Sequence, residues 1–517
     1  MNDVKAWART NRAVVLCSLA AVVAFTMRIF MANVQIIAPD GLFYIKIAKS
    51  INSGDFQFIT EYGFFNLYSF LIALFQKVFH NWEFSGKMVS VVLGSLTTIP
   101  LFLLIKGLFS TRIAFVSALC YSVHPRFVEY SSDVLREPTC WFFSIMGLWL
   151  AWEGISRKRY SLFALSSLSV GLAMVTRLEG VVFFLVIILW ILWALFNDRG
   201  ARVKTFIYLC IFLISLPVLM APILFVVKYR IHRWELGHPI EKISQLVMAD
   251  EGTEEVGAGL SKTASPKFKG FLEISERQRY VMFTMEVLYK FIKSFNIILF
   301  ALFLLGLYKR VSTPYSKADI INALWFLAAF CGLFLYVVKV HYLSTRHGLL
   351  MAMPAFAWAG AGFFEIRERI RRWLHETGLF QKYARFDTVF LLVLILIILV
   401  PQTVLSYRSD KLELKEAGIV LKNMGLSNTT FIVQPTLNRI AFYADAEFVP
   451  LPDKIDNSDM KAIVAEHHAT LLIIDERTID DYVPGIRKIV DQSMFEKLVI
   501  PEMNQYREYS FSIYKIR

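Results

Sequence analysis

Residues 176–196 read TRLEGVVFFLVIILWILWALF: a polar break with one arginine and one glutamate, followed by an unbroken apolar run. A helix rising about 1.5 Å per residue needs roughly 20 apolar residues to cross a hydrocarbon core of about 30 Å. Similar runs occur at residues 206–227, 291–307 and 389–405. The chain of 517 residues is 56% hydrophobic and only 19% charged, with a mean hydropathy of +0.51. This composition predicts an integral membrane protein.

Eleven membrane spans are predicted along the chain. They lie near residues 13–32, 86–106, 112–124, 138–154, 161–176, 180–196, 205–228, 285–308, 319–338, 348–364 and 388–406. The loops between them alternate in charge, and the basic set ends with the run Arg367–Arg372. The positive-inside bias assigns the basic loops and the N-terminus to the cytoplasm.

The first outer loop, residues 33–85, is predicted to hold interfacial helices. Between Gly41 and Ser53, lysines and serines share one helical face and Tyr44 and Ile47 share the other, which is typical of a helix in the interface plane. Residues 64–78 are apolar enough for a further span. Counting them would break the charge alternation, so they are interpreted as interfacial.

The polar composition of two segments predicts that they lie outside the membrane. Residues 229–284 form a second outer loop, and a mobile cover over a site and a disordered connector both remain open. After residue 406 the chain becomes polar, with short buried strands at Thr430–Val433 and Leu471–Ile474 between helical segments. The predicted domains are therefore a membrane domain at residues 1–406 and a small α/β domain at residues 407–517. An odd span count places the second domain outside.

Asp40, just beyond the first span, is the leading candidate for chemistry. Its ordinary role would be to cap the helix that follows. A carboxylate at the bilayer edge could instead act as a general base or bind a cation or a positive substrate group.

Further charged residues interrupt the apolar segments on the same predicted side. Asp133, Arg136 and Glu137 follow His124-Pro125, and Asp133 and Glu137 are four residues apart, so they would share a helical face. A solvated loop with internal ion pairs is the competing interpretation.

Two more breaks carry arginine. Arg177 and Glu179 lie between two apolar helices, where a hairpin turn with a local ion pair is equally consistent. Arg346 and His347 precede a helix N-terminus, which the helix dipole disfavours unless an anion such as phosphate binds there.

Soluble-enzyme motifs are absent from the sequence. It contains no phosphate-binding Walker loop, dinucleotide fingerprint, nucleophile elbow or zinc-binding helix of the His-Glu-x-x-His type. The five cysteines fall in apolar segments without metal-ligand spacing. The sequence thus requires no cofactor, although it leaves open the binding of a divalent cation. Its net positive charge reflects the basic cytoplasmic loops of a membrane protein and does not indicate binding to nucleic acid.

These segments together resemble GT-C glycosyltransferases that use polyprenyl-phosphate sugars, in the branch of protein O-mannosyltransferases and lipid A aminoarabinose transferases. The resemblance rests on Asp40-Gly41-x-x-Tyr44, on His124-Pro125 with Leu135-Arg136-Glu137, on Arg177-Leu178-Glu179-Gly180, and on Arg346 before the helix that contains Pro354. Leu178 replaces a family proline. The mannosyltransferase Asp-Glu pair is Asp40-Gly41 here, which argues against a protein acceptor, and the oligosaccharyltransferase Trp-Trp-Asp motif is missing.

The resemblance implies an inverting transfer of a sugar from a polyprenyl phosphate to an extracytoplasmic lipid, glycan or protein. It implies that Asp40 and Glu137 are catalytic. It further implies that substrate or phosphate is held by Tyr44, Asp133, Arg136, Arg177, Glu179, Arg346 and His347, and that the protein lies in the cell envelope, in a bacterial inner membrane with a periplasmic C-terminal domain. The alternatives are a secondary transporter, for which no inverted repeat is visible, and a membrane assembly scaffold. A transferase predicts that Asp40, Glu137, Arg177 and Arg346 converge.

Overall fold

The computed structural model describes residues 11–62, 66–197, 200, 202–231, 278–311, 317–376, 387–405, 412–452, 454–483, 486–490, 494–498 and 511–517. The chain divides into two compact units. The first comprises residues 1–33 and 45–406, and the second comprises residues 34–44 and 407–517. The second outer loop predicted at residues 229–284, as a cover or a connector, falls almost wholly outside the described residues.

The regular elements in the described part of the N-terminal half are α-helices joined by short turns. Its helices are α1 (Arg12–Val34), α2 (Pro39–Ser53), α3 (Gln57–Tyr62), α4 (Leu67–Phe79), α5 (Trp82–Leu96), α6 (Thr98–Leu108), α7 (Thr111–Val123), α8 (Pro125–Ser131), α9 (Glu137–Arg157), α10 (Tyr160–Thr176), α11 (Gly180–Asn197) and α12 (Arg202–Ile231).

Five further helices complete the first unit. They are α13 (Arg279–Phe295), α14 (Ile297–Val311), α15 (Lys317–Val340), α16 (Leu349–Glu376) and α17 (Asp387–Leu405). Helix α16 is central to the packing, since 83% of the residues in its apolar stretch are buried, against 22% in the apolar stretch of α17. Apolar side chains that α17 exposes, such as Phe390 and Ile397, are typical of a lipid-facing helix.

All eleven predicted spans are helical, but fewer pass a test of length and apolar character. Seven helical segments of the described residues do so, one of them the consecutive pair α5 and α6 (Trp82–Leu108), and the number is eight if the bent pair α13–α14 is one span. Helices α7 and α10 have 13 and 17 residues, which is short for a crossing. Charged and tryptophan residues lower the hydropathy of α9. The polytopic helical architecture is confirmed, whereas the number of spans that length alone supports is smaller than eleven.

One predicted span is wrong in shape. Residues 285–308 were expected to form one helix, but the chain bends by 109° between α13 and α14. Asn296 at the bend has a φ of 72°, a backbone conformation that ends a helix. The apolar pattern continues through the bend, so hydropathy alone does not reveal it.

The first outer loop has the expected helices. In α2 the side chains of Lys46 and Lys49 are exposed while Tyr44 and Ile47 are buried, as the amphipathic pattern predicted. Helix α4 has only 13 residues and would reach about 20 Å, so it is too short to cross a bilayer core. This length agrees with the prediction that residues 64–78 are not a span.

The second unit contains a small α/β domain. Its elements are α18 (Leu412–Asn423), β1 (Thr430–Val433), a 3₁₀ turn (Pro435–Leu437), α19 (Asn438–Tyr443), β2 (Glu447–Pro450), α20 (Asn457–His467), β3 (Ala469–Asp475), α21 (Ile479–Tyr482), α22 (Ile486–Val490), β4 (Phe495–Lys497) and β5 (Phe511–Ile516). The sheet order is β2-β1-β3-β5-β4. Strands β1, β2 and β3 are parallel, and β5 is antiparallel to β3 and β4.

Apolar side chains cover both faces of this sheet. Phe431 and Val433 of β1 pack in one core with α18 and α19, whereas Ile432 packs in another with α20 and α22. Burial on both faces explains why β1 and β3 are continuous apolar runs and were recognisable in the sequence. Between β3 and β4 the described residues form two short helices, α21 and α22.

Candidate active site

The turn between α10 and α11 holds a strong ion pair. Arg177 follows the last residue of α10, and its guanidinium donates from Nη2 to Glu179 Oε1 at 2.5 Å and from Nε to Glu179 Oε2 at 3.1 Å. The pair is bidentate, the geometry in which arginine binds a carboxylate most firmly. The local ion pair considered from the sequence is therefore present, and Arg177 is buried in it.

Arg177 also contacts a carboxylate from a distant part of the chain. Its Nη1 donates to Oε1 of Glu137, the first residue of α9, at 2.5 Å. Nη1 of Arg346 lies 3.6 Å from the same oxygen. One carboxylate oxygen thus lies between two guanidinium groups that come from separate loops. We refer to Glu137, Arg177, Glu179 and Arg346 as the arginine–carboxylate cluster.

The cluster is balanced in formal charge, with two arginines and two glutamates. Glu137 is buried, and among the described residues its Oε2 has no hydrogen-bond partner. Arg346 is the more accessible arginine, with a side chain 33% exposed against 9% for Arg177. A ligand would therefore reach Arg346 first.

Burial and charge shift the pKa values in the turn. Burial raises the pKa of Glu179, but the charge of Arg177 and its hydrogen bonds outweigh burial and hold that pKa at about 2. Burial lowers the pKa of Arg177, and the carboxylates of Glu137 and Glu179 together raise it well above its ordinary value. Both groups are therefore charged at neutral pH.

His347 lies beside the cluster as a neutral imidazole. Burial lowers its pKa to about 4, with the charges of Arg177 and Arg346 acting in the same direction against the carboxylates. Its Nδ1 accepts a hydrogen bond from the backbone N–H of Ser344 at 3.2 Å, so the neutral ring carries its proton on Nε2. The ring centre lies 5.0 Å from that of Tyr336 in α15.

Asp133 and Arg136 lie between α8 and α9, in a segment that is not helical. Asp133 Oδ1 accepts from the N–H of Val134 at 2.7 Å, and Arg136 Nη1 donates to the carbonyl of Thr176 at 3.4 Å, next to Arg177. The prediction that Asp133 and Glu137 share a helical face is wrong. Helix α9 begins at Glu137 because Pro138 favours the first turn of a helix.

Asp40 and Tyr44 both lie in α2. Asp40 is exposed in the first turn, where a carboxylate suits the helix dipole, and Tyr44 is buried. Both residues belong to the compact unit of residues 34–44 and 407–517, whereas the cluster belongs to the other unit. Of the four side chains expected to converge, Glu137, Arg177 and Arg346 do so, and the approach of Asp40 stays a prediction.

Sequence reasoning missed Tyr336 and Cys140 at this site. Cys140 lies three residues after Glu137, on the same face of α9, so helical spacing was a usable signal. Tyr336 had none, because it lies inside the apolar span predicted at residues 319–338, and only the break between α15 and α16 brings the ring of His347 to it. Among the residues that the structure describes, no three His, Cys, Asp or Glu side chains come together as metal ligands would.

Comparison with known proteins gives one family match. Residues 66–225, less than half of the chain, match the family described as dolichyl-phosphate-mannose-protein mannosyltransferase. This segment includes Glu137, Arg177 and Glu179. A search of curated protein sequences finds no match.

Solved structures match over nearly the whole chain. The oligosaccharyltransferase of Archaeoglobus fulgidus, tethered to an acceptor peptide, is 12% identical with a TM-score of 0.59, and the match covers 92% of this chain and 70% of that chain. ArnT from Cupriavidus metallidurans, bound to undecaprenyl phosphate, is 12% identical with a TM-score of 0.57, and 98% of each chain is covered. The chain has the GT-C fold. The resemblance to GT-C glycosyltransferases predicted from the sequence is therefore confirmed.

Two further structures of the A. fulgidus GT-C protein show what that neighbour binds. One is a complex of AglB with an inhibitory peptide and a dolichol-phosphate, 13% identical to this chain with a TM-score of 0.54, covering 91% of this chain and 70% of that one. Another is a complex with Zn and sulfate, 12% identical with a TM-score of 0.58 and the same coverage. At these identities the likeness concerns the fold.

Proposed function

We propose that this GT-C protein is an inverting glycosyltransferase that moves a sugar from a polyprenyl-phosphate donor to an extracytoplasmic acceptor. The observation that carries the proposal is the arginine–carboxylate cluster, in which guanidiniums from two loops meet at one carboxylate oxygen. Two guanidiniums that converge in this way form a recognition site for phosphate oxygens. Neighbours of the same fold were solved with dolichol-phosphate and undecaprenyl phosphate.

The donor phosphate would enter at the exposed side of Arg346. Arg346 exchanges its long contact to Glu137, 3.6 Å, for a phosphate oxygen, while Arg177 keeps its shorter contacts to Glu137 and Glu179. Arg136, bonded to the end of α10, adds a third positive charge beside the turn. Glu137 in this scheme positions the two guanidiniums. Its Oε1 is held by a guanidinium, so a catalytic role of Glu137 would fall to Oε2, which has no hydrogen-bond partner among the described residues.

The transfer is a single displacement at the anomeric carbon. An acceptor oxygen forms a bond to that carbon from one face, and the bond from the carbon to the phosphate oxygen breaks on the other face. The leaving phosphate takes the electron pair, and its growing negative charge is stabilised by the arginines. Asp40 takes the proton from the acceptor, and the neutral Nε2–H of His347 donates a hydrogen bond to substrate. A leaving group stabilised in this way needs no strong general acid.

The test is a donor panel. Purified protein is incubated with polyprenyl phosphates carrying different sugars, and release of polyprenyl phosphate is followed with candidate lipid, glycan and peptide acceptors. Sugar transfer from at least one donor is expected. The proposal would be contradicted if every donor stayed intact, or if donors were only hydrolysed slowly without transfer to an acceptor. Asp40→Asn should abolish transfer, whereas Asp55→Asn, which removes an exposed carboxylate of the same outer segment, should leave it intact. An active Asp40→Asn protein would refute the assignment of the base.

A further inference from the structure

The bend between α13 and α14 is held by side chains on three sides. Asn296 accepts the N–H of Ile298 on its Oδ1 at 3.0 Å and donates from Nδ2 to Gln402 at 2.6 Å. His124 donates from Nε2 to the carbonyl of Phe295, the last residue of α13, at 3.2 Å. These contacts fix the 109° angle as a feature of the fold.

Helix α14 runs along a membrane span. A Cβ on Gly306 would lie 1.8 Å from the carbonyl oxygen of Trp358 in α16, and a Cβ on Gly362 would lie 1.9 Å from that of Leu302. Backbones approach this closely over several residues when two helices lie side by side at small residues. Because α16 contains a candidate span, Leu349–Trp373, α14 follows the direction of a span and α13 lies close to the membrane plane.

Helix α13 is apolar on two sides. Val287, Phe291 and Phe295 are buried against the rest of the unit. A second apolar strip faces outward: Val281, Met282, Met285 and Tyr289 are each at least 50% exposed. An exposed apolar strip of this kind marks an interaction surface. Beyond the bend, Ile297 and Leu304 on α14 are also apolar and exposed.

A charged strip separates the two apolar sides. Arg279, Glu286, Lys290 and Lys293 recur at helical spacing, three basic residues against one acidic residue. Lys290 pairs with Glu286 at 3.1 Å, and the amino groups of Lys290 and Lys293 lie 5.9 and 5.7 Å from the ring of Tyr289. Lysines around a tyrosine at the edge of an apolar face are typical of a helix at the level of lipid headgroups.

We infer that α13 is a membrane-surface helix, with its exposed apolar strip among the acyl chains and its basic strip bound to anionic phospholipid headgroups. The partner is the leaflet on the side of the loop that carries Arg346. The inference depends on the bend, the two apolar sides and the charged strip, so it stands independently of the proposed transfer reaction.

The buried side of α13 supports the candidate active site. A Cβ on Gly348, next to His347, would lie 2.7 Å from the carbonyl oxygen of Lys290 and 2.4 Å from Ser294 Oγ. The ring of Phe283 lies 5.6 Å from that of His341, at the start of the same loop. A helix seated on the lipid surface would therefore fix the depth at which Arg346 meets a lipid-linked phosphate.

The depth of α13 is tested with spin labels on the full chain in lipid nanodiscs. A label at Met285→Cys, with the exposed Cys331 replaced by serine, is compared with a label at Lys422→Cys on the C-terminal domain. We expect the label at position 285 to collide with oxygen and to be shielded from an aqueous nickel complex, and the label at position 422 to show the reverse. Equal exposure of both labels to nickel would overturn the inference.

The headgroup preference is tested by counting the phospholipids that stay bound when nanodiscs containing phosphatidylglycerol and phosphatidylcholine are released in a mass spectrometer. The phospholipids bound to the wild-type protein should be enriched in phosphatidylglycerol over phosphatidylcholine. The double variant Arg279→Gln/Lys293→Gln should reduce that enrichment by roughly fivefold for each charge removed. Lys415→Gln/Lys422→Gln removes the same charge from the C-terminal domain and should leave the enrichment intact. Equal enrichment in wild type and both variants would overturn the headgroup assignment.

Discussion

Glu137 and Glu153 lie on the same helix, α9, in different surroundings. Glu137 is buried against Arg177, whereas Glu153 pairs with Arg157, whose side chain is 61% exposed. Exposed ion pairs contribute little to stability because water screens them, but removing one partner of a buried pair leaves a charge that water cannot solvate. Two chemically identical substitutions on one helix can therefore separate the contribution of the cluster.

Glu137→Gln should lower the free energy of unfolding by about 3 kcal/mol, the low end for a broken buried pair, because Glu179 still neutralises Arg177. Glu153→Gln should lower it by less than about 1 kcal/mol. The measurement is denaturant or thermal unfolding of the detergent-solubilised protein. Equal stability of the two variants would show that the cluster does not hold its three segments together.

His347 gives the cluster a pH dependence. The ordinary pKa of a histidine, 6.5, falls to about 4 in the folded protein. As the pH drops between these values, the unfolded imidazole gains a proton that the folded one does not bind, so stability falls through that window. Glu179 acts in the same direction at lower pH, between 4.5 and about 2, since its folded carboxylate stays ionised while the unfolded one is protonated.

Wild-type protein should therefore lose thermal stability as the pH falls from 6.5 toward 4, and His347→Gln should flatten this part of the profile. His467→Gln removes an exposed imidazole from the C-terminal domain and serves as the control, with a profile like that of wild type. Thermal unfolding across the window is the measurement. An unchanged slope in His347→Gln would mean that His347 does not stay neutral in the folded protein.

At the scale of an element, Asn296 is the residue of the bend after α13 whose backbone conformation can be tested directly. Asn296 has a positive φ of 72°, and its side chain hydrogen-bonds to Ile298 at the start of α14 and to Gln402 in α17. Glycine adopts this backbone without strain, whereas alanine does not.

Asn296→Ala should be less stable than Asn296→Gly by about 1 kcal/mol, because both variants lose the side-chain hydrogen bonds and only alanine adds backbone strain. Unfolding of the two variants side by side gives the comparison. An alanine variant as stable as wild type would indicate that the bend tolerates another backbone geometry.

The elements also show what the sequence could and could not predict. Long apolar runs and the doubly buried strands β1 and β3 were visible, because their patterns reflect burial of whole segments. Strands β2, β4 and β5 were missed, since β2 and β4 are short edge strands and β5 has one solvated end. The bend at Asn296 was missed because a hydropathy window averages over a single residue.

At the scale of the whole molecule, the segments that carry the candidate site were found from charges interrupting apolar segments. The convergence of Glu137, Arg177 and Arg346 was predicted for a transferase, but the specific contact of both arginines with one oxygen of Glu137 was not, since it arises only through helix packing. The predicted sharing of one helical face by Asp133 and Glu137 failed because a proline sets where α9 begins.

Orientation is the remaining large-scale proposal. The basic loops predict a cytoplasmic N-terminus and a C-terminal domain on the opposite, periplasmic side of a bacterial inner membrane. An alkaline phosphatase fused after residue 517 should be active in a bacterial host, and a fusion within the basic stretch at residues 367–372 should be inactive. The reverse pattern would invert the topology and place the site on the cytoplasmic side.

The most direct measurement of the central claim is the binding of a polyprenyl phosphate to purified protein. Wild type should bind it saturably, and Arg346→Gln should weaken binding by tenfold or more, as the loss of a charge-assisted contact of about 1.5 kcal/mol or more requires. Arg157→Gln, which removes an exposed arginine at the far end of α9, should bind like wild type. Equal affinity of all three proteins would contradict the claim that the arginine–carboxylate cluster holds the lipid phosphate.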